Sequence, residues 1–307
     1  MRHLLLIAAL FLLVPGLNAA SEQILVWYGI ALAATLSSVF LIVHFAWQLL
    51  FYRGDLDPVV YLRGGGLLHH WMIYGTVEIV VLAGLLELWH FFPEHHWWLL
   101  PACLVNALGI ILSLTRMLWI CSFLLLALHL IWHRSRWLWA LPGAPAVVFF
   151  LTPHAVRSRL ADSLRADYYP NAERIQMLRV GWKMIQEHPL TGVGPGRAGE
   201  LYTKYLSASD PIPAYHGHLH NNLVQLTAEF GLPVALAAIL FVTVLFWELR
   251  KAFRPGMNRD QQFVGCTAVL GLTGFVVSGL FDYTYGHSLG LILLCFTVLS
   301  PLASNAE

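Results

Sequence analysis

Charge is scarce in this chain. Only 11% of its 307 residues are Asp, Glu, Lys or Arg, while 58% are hydrophobic. A soluble domain carries about 25% charged residues to cover its surface, so a water-exposed globular fold is excluded. An excess of one sign is missing too. Eighteen Lys and Arg face 17 Asp and Glu, a formal net charge of +1, which offers no field to nucleic acid; no nucleic-acid partner is expected. The four cysteines, Cys103, Cys121, Cys266 and Cys295, lie in apolar segments without CxxC spacing and read as buried thiols. No HExxH run is present. Gly192, Gly194 and Gly196 follow no strand and precede no Lys-Ser/Thr helix start, so they mark a tight turn rather than a phosphate loop.

What the chain has is apolar length, with a mean hydropathy of +0.66. A bilayer crossing takes roughly 20 mostly apolar residues. Segments 4–20, 24–50, 67–92, 97–115, 117–133, 136–152, 232–249, 262–281 and 286–303 qualify. In lipid each backbone polar group must be bonded within its own segment, which favours helices. The fold class expected is all-α, a polytopic membrane helix bundle of about nine spans. Residues 4–14, LLLIAALFLLV after Arg2, suit a signal peptide as well as a first span.

Basic residues mark the cytoplasmic side. Arg250, Lys251, Arg254 and Arg259 lie between two spans, and Arg134 and Arg136 between two others. Both loops are expected inside, which places 153–231 outside. The N-terminal half does not follow the rule as neatly, since the same count puts Arg53 and Arg63 outside. The chain then divides into N-terminal helices (1–152), a large polar loop (153–231) and C-terminal helices (232–307).

The loop contains AERIQMLRVGWKMIQEHPLTGVGPG at 172–196. Ile175, Leu178, Trp182 and Ile185 fall at helical spacing, with Arg174, Gln176, Arg179, Lys183 and Gln186 around them. An amphipathic helix at the membrane–water boundary is expected, ended by Pro189.

At 214–231 the chain reads AYHGHLHNNLVQLTAEFG. In an extended segment His216, His218 and His220 share a face, and three imidazoles can hold zinc with one position open. They can equally be interfacial residues that meet only water. A helix is expected just after them, capped by Asn221 or His220, with Leu223, Leu226 and Phe230 on its apolar side. A histidine at a helix start is kept neutral by the positive end of the dipole, so His220 is a candidate general base. Arg116, in IILSLTRMLWICSFLLL, interrupts apolar sequence. It either snorkels to headgroups or offers a fork to phosphate. Glu78 lies deep in a span, and no role follows for it.

The stretch RVGWKMIQEHPLTGVGPG, followed by HLHNNLVQLTAEFGLPVALAAILF, resembles the O-antigen ligase and polymerase family of bacterial inner-membrane glycosyltransferases. RGGGLLHHWMIYGTVEIV at 63–80 and SGLFDYTYGHSLGLILLCF at 278–296 fit it more loosely. The resemblance implies a catalytic role for His220 in its His-Asn pair, and for Arg116 and Arg174 as diphosphate ligands. Arg179, His218 and Asn221 are expected at the substrate. It also implies an undecaprenyl diphosphate-linked glycan as donor, no cofactor and no metal, and an active site facing the periplasm from the inner membrane. The acceptor is lipid A–core for a ligase, or the growing glycan for a polymerase. A protein O-oligosaccharyltransferase shares the chemistry, and a transporter of the same lipid-linked glycan is the non-enzymatic alternative.

Overall fold

The computed structural model describes residues 19–52, 61–163, 165, 167–207, 210, 217–253 and 256–304. The apolar segment expected at 4–20 lies almost wholly outside them, and so does His216. No strand occurs among the described residues, and the molecule is helical throughout.

Twelve α-helices are described: α1 (Ala20–Phe51), α2 (Trp71–Phe91), α3 (His96–Leu112), α4 (Arg116–Trp132), α5 (Ala144–Leu151), α6 (His154–Asp162), α7 (Tyr169–Glu187), α8 (Arg197–Leu201), α9 (Asn222–Phe230), α10 (Leu232–Leu249), α11 (Arg259–Ser278) and α12 (Ser288–Ser304). Five helical segments are long and apolar enough to cross a membrane: α1, α2, Pro93–Leu112, α10 and α11. Three shorter apolar segments, Arg116–Trp132, Arg136–Leu151 and Ser288–Leu302, fall where spans were expected.

The expected span at 136–152 is not one continuous α-helix. Arg136–Gly143 is 3₁₀, and α5 follows with eight residues. Pro142 removes a backbone donor, and Pro145 sits in the first turn of α5, where its fixed φ is tolerated. The tighter winding rises about 2 Å per residue, so the sixteen residues still cover about 28 Å.

Two helices form the centre. The apolar windows of α2 and α11 are each 67% buried, whereas that of α10 is 11% buried. Leu236, Ile239, Leu240, Phe241, Val244 and Trp247 of α10 are exposed, a patch that lipid solvates and water would not. Helices in lipid gain little from hydrophobicity between one another and rely on close approach and on buried polar contacts. Both occur here. A Cβ on Gly84 of α2 would stand 2.3 Å from the Trp27 ring of α1. Ser38 of α1 hydrogen-bonds Tyr74 Oη of α2 (2.8 Å) and donates to Asn106 Oδ1 of α3 (3.0 Å), while Asn106 donates to Thr35 Oγ1 at 2.9 Å.

Beside this bundle lies a second core built from the polar loop. Met177, Val180 and Met184 of α7 pack with Val193, Ala198, Tyr202, Leu219 and Ala228. The protein-facing side of α7 is thus distinct from the stripe expected at the membrane boundary. Ile185 is buried, but Ile175, Leu178 and Trp182 are 41%, 39% and 59% exposed. The helix has two apolar stripes, and the one without the tryptophan faces the protein. In α9 Leu223, on the expected apolar side, is exposed, and Gln225, Thr227, Ala228 and Glu229 are buried. The buried polar side chains are satisfied, since Gln225 Oε1 accepts from Leu219 N (2.7 Å) and Gln225 Nε2 donates to Glu229 Oε1 (2.8 Å).

Candidate active site

The site forms where three stretches of sequence meet: 63–71, 116–174 and 218–287. Its anchor is the start of α9. Asn221 is the N-cap, its Oδ1 accepting from Val224 N at 2.9 Å, as the sequence led one to expect. Its Nδ2 donates to Leu280 O at 2.9 Å. Asn222 N donates to Gly279 O at 2.6 Å. The Asn222 amide pairs with Thr284 in both directions, Nδ2 to Oγ1 (2.7 Å) and Thr284 N to Oδ1 (2.9 Å). The two asparagines thus fasten α9 to the turn that joins α11 to α12.

That turn delivers a residue sequence reasoning did not single out, Asp282. His220 Nδ1 and Asp282 Oδ1 are 2.9 Å apart, and both side chains are buried. Asp282 Oδ1 also accepts from Tyr283 N at 2.8 Å. Burial opposes ionisation of Asp282, but the hydrogen bonds from the His220 ring and the Tyr283 amide outweigh it and hold its pKa below the usual carboxylate range. An ionised carboxylate on Nδ1 fixes the tautomer with its proton there and leaves the Nε2 lone pair free to accept one. His220 has φ +50°, a conformation rare outside glycine and a sign that its position is over-determined by its surroundings. His287 Nε2 stands 3.9 Å from Asp282 Oδ2.

His218 packs edge-on to His220, with ring centroids 4.3 Å apart, and lies beside Tyr283. Burial first, then the neighbouring His220, lowers its pKa to about 4. It is neutral at pH 7, and its buried Nδ1 has no hydrogen-bond partner.

The other wall is cationic. Arg63 feels the charges of Arg159, Arg174, Arg116 and Asp282. Burial and its three arginine neighbours bring Arg63 down to about 9, so it stays protonated at neutral pH. Arg174 is lowered by burial, with Asp282 acting in the opposite direction. Arg63 lies over the Trp71 ring at 4.4 Å, and Arg159 donates to Tyr168 Oη at 3.1 Å. Arg116 donates to Asn171 Oδ1 from the first residue of α4. The Nε atoms of Arg63 and Arg159 and Trp71 Nε1 are buried without a partner. Buried donors are normally satisfied, and four guanidinium groups that repel one another need an anion.

Of the residues expected from sequence, His218, His220, Asn221, Arg116 and Arg174 gather here. Arg179 does not join them. It is exposed and lies five residues after Arg174, about 140° around the helix. The residues missed are Asp282, Arg63, Arg159 and His287. Asp282 had a legible signal, as the lone acid between the last two apolar segments. Arg63 stood in a quoted stretch without a role, and Arg159 had no signal beyond its charge. As for metal, the three-histidine arrangement is not described because His216 is not. The liganding atoms of His218, His220 and Asp282 lie within 4.8 Å of one another and have the donor types for a divalent ion.

The HPLTGVGPG stretch closes the other end of α9. Val193 N and Gly194 N donate to Ala228 O (2.8 Å) and Glu229 O (3.0 Å), meeting carbonyls that a helix end leaves unpaired. Gly192 has φ +65°, and a Cβ there would stand 2.3 Å from the Glu229 carbonyl carbon. The two stretches quoted for the resemblance are one structural unit.

Residues 101–239 match the family model described as O-antigen ligase. That segment is similar to the O-antigen ligase family. No curated protein matches the chain. The O-antigen ligase segment includes Arg116, Arg159, Arg174, His218, His220 and Asn221. Arg63 and Asp282 come from outside it, so segments flanking the match complete the candidate site.

Proposed function

We propose that this protein is a membrane glycosyltransferase of O-antigen ligase type that moves a glycan from undecaprenyl diphosphate to lipid A–core. The observation that carries the reading is the His220–Asp282 pair set against the Arg63, Arg116, Arg159 and Arg174 cluster. A histidine oriented by a carboxylate, next to a concentration of guanidinium donors, suits attack by a hydroxyl with departure of a diphosphate.

In the proposed reaction the acceptor hydroxyl oxygen attacks the anomeric carbon. Its proton passes to His220 Nε2, and Asp282 stabilises the resulting imidazolium. The bond from the anomeric carbon to the diphosphate oxygen breaks, and the electron pair leaves with undecaprenyl diphosphate. The arginines bind charge that grows on the leaving group as the bond breaks, which lowers the barrier rather than only the ground state. Attack opposite the leaving group inverts the anomeric centre. His218, neutral beside the base, is proposed to contact the acceptor. Asn221 acts by holding α9 in place, since both ends of its amide are engaged in the fold. Arg179 is proposed to meet lipid headgroups rather than the reacting diphosphate.

An apolar cavity of about 480 Å³ lies between α1, α2 and α12, with Val26, Ile30, Val77, Leu293 and Phe296 in its walls. Leu67 and Leu68 also line it, a few residues from Arg63 and Trp71. This continuity supports it as the seat of the first isoprene units of the donor. The inner membrane is carried over from the family resemblance, the charge distribution of the loops supports a site facing away from the cytoplasm, and both belong to the same proposal.

The test is transfer by the purified protein in lipid, supplied with undecaprenyl diphosphate-linked glycan and lipid A–core, with products separated by size and by acceptor label. Glycan on lipid A–core is the expected product. Longer glycan still on the lipid carrier reassigns the protein as a polymerase with the same site. Donor moved across the bilayer but never transferred would leave the transporter reading in its place.

A further inference from the structure

A second set of ligand-type side chains lies far from the site, where the C-terminal ends of α2 and α4 meet. α2 supplies Glu87 and His90, three residues apart; α4 supplies His129, with His133 four residues further on as its C-cap. These spacings put each pair on one helix face, and the two faces meet. Glu87 Oε1 is 2.7 Å from His129 Nδ1, and Glu87 Oε2 is 3.0 Å from His133 Nε2. His133 Nε2 is also 3.3 Å from Oε1. His90 stacks on His133 with ring centroids 3.6 Å apart. His129 lies thirteen residues along α4 from Arg116, about 20 Å at 1.5 Å per residue, so this cluster shares nothing with the candidate active site.

We propose that Glu87, His129 and His133, with an open fourth position for water, form a binding site for one zinc-type divalent ion. Three features argue for it. First, the three liganding atoms lie within 4.8 Å of one another. Ligands about 2.0–2.1 Å from a tetrahedral metal stand about 3.3 Å apart, so Glu87 Oε1, at 2.7 Å from His129 Nδ1 and 3.3 Å from His133 Nε2, needs only a small movement to share an ion with both. Second, Glu87 is fully buried and His129 nearly so. A buried carboxylate is paired or coordinates metal, and the groups that face this one are metal-ligand types. Third, the donor set is chemically selective. Imidazole with one carboxylate suits zinc, cobalt or nickel and not magnesium or calcium, which favour oxygen ligands. His90 is exposed and gives the ion a route in. The bound ion would tie the end of α2 to the end of α4, two helices whose opposite ends carry Trp71 and Arg116 into the candidate active site.

The test is titration of the stripped full-length protein in nanodiscs with Co²⁺, followed by its visible absorption. One equivalent with the strong bands of a four-coordinate ion is expected, displaced by Zn²⁺. His133→Ala should weaken binding by roughly tenfold or more, and His129→Gln likewise, while His218→Ala leaves it unchanged. Wild-type protein that takes up no stoichiometric Co²⁺ overturns the proposal without any variant. Binding that survives His133→Ala and is lost in His218→Ala also overturns it, by moving the ion to the other cluster.

Discussion

His220 is placed to accept a proton by what holds its other nitrogen. With Asp282 on Nδ1 at 2.9 Å, the free nitrogen is Nε2 in the tautomer an acceptor hydroxyl requires. Asp282→Asn keeps the shape and removes the charge that favours this tautomer, so turnover should fall about 10²–10⁴-fold with donor KM little changed, measured by steady-state transfer kinetics. Arg159→Lys replaces a fork by a point charge, and donor KM should rise about tenfold, read from the same assay. A third expectation concerns pH. His218 has a folded pKa of about 4 against an unfolded value near 6.5. The unfolded chain binds more protons between these values, so stability rises with pH through that window. His218→Asn should flatten thermal stability between about pH 4 and 6.5, removing a slope of order 1–3 kcal/mol in total. At this scale the sequence offered His220, Arg116 and Arg174 as candidates. It did not show Asp282 as their partner, because a contact between residues 62 positions apart has no local signature.

Element boundaries were more legible than element faces. Spans expected at 24–50, 67–92, 97–115, 117–133, 232–249, 262–281 and 286–303 correspond to α1, α2, α3, α4, α10, α11 and α12, because a long apolar run bounded by polar residues has few other readings. Which faces of α7 and α9 the protein buries was not legible, because each carries apolar residues on two sides, and only the partner decides which side is buried. The turn at 191–196 was legible through its glycines, but its task of closing the end of α9 was not. Gly192→Ala should be a severe change. It combines φ +65° with a Cβ 2.3 Å from the Glu229 carbonyl carbon, and a cost of about 2 kcal/mol or more is expected. Thermal unfolding in detergent checks it, with Gly143→Ala, where a Cβ meets nothing within 4 Å, as the control that should stay near wild type.

The whole molecule is a helix bundle with a polar cap. The cap's core of α7, α8 and α9 sets His220, the bundle end sets Arg63, Arg116 and Asp282, and the site lies on the seam between them. Orientation of that seam is testable. In a background without the native cysteines, Glu187→Cys should react with an impermeant maleimide in intact spheroplasts. Arg136→Cys should react only after lysis. The reverse pattern would put the site on the cytoplasmic side.

The most direct test of the account is donor binding and transfer measured side by side for His220→Ala in lipid. The arginine cluster is untouched in this variant, so undecaprenyl diphosphate-linked glycan should bind as in the wild type while transfer to lipid A–core falls about 10²–10⁴-fold. Transfer at the wild-type rate would contradict a histidine base and remove the centre of the mechanism.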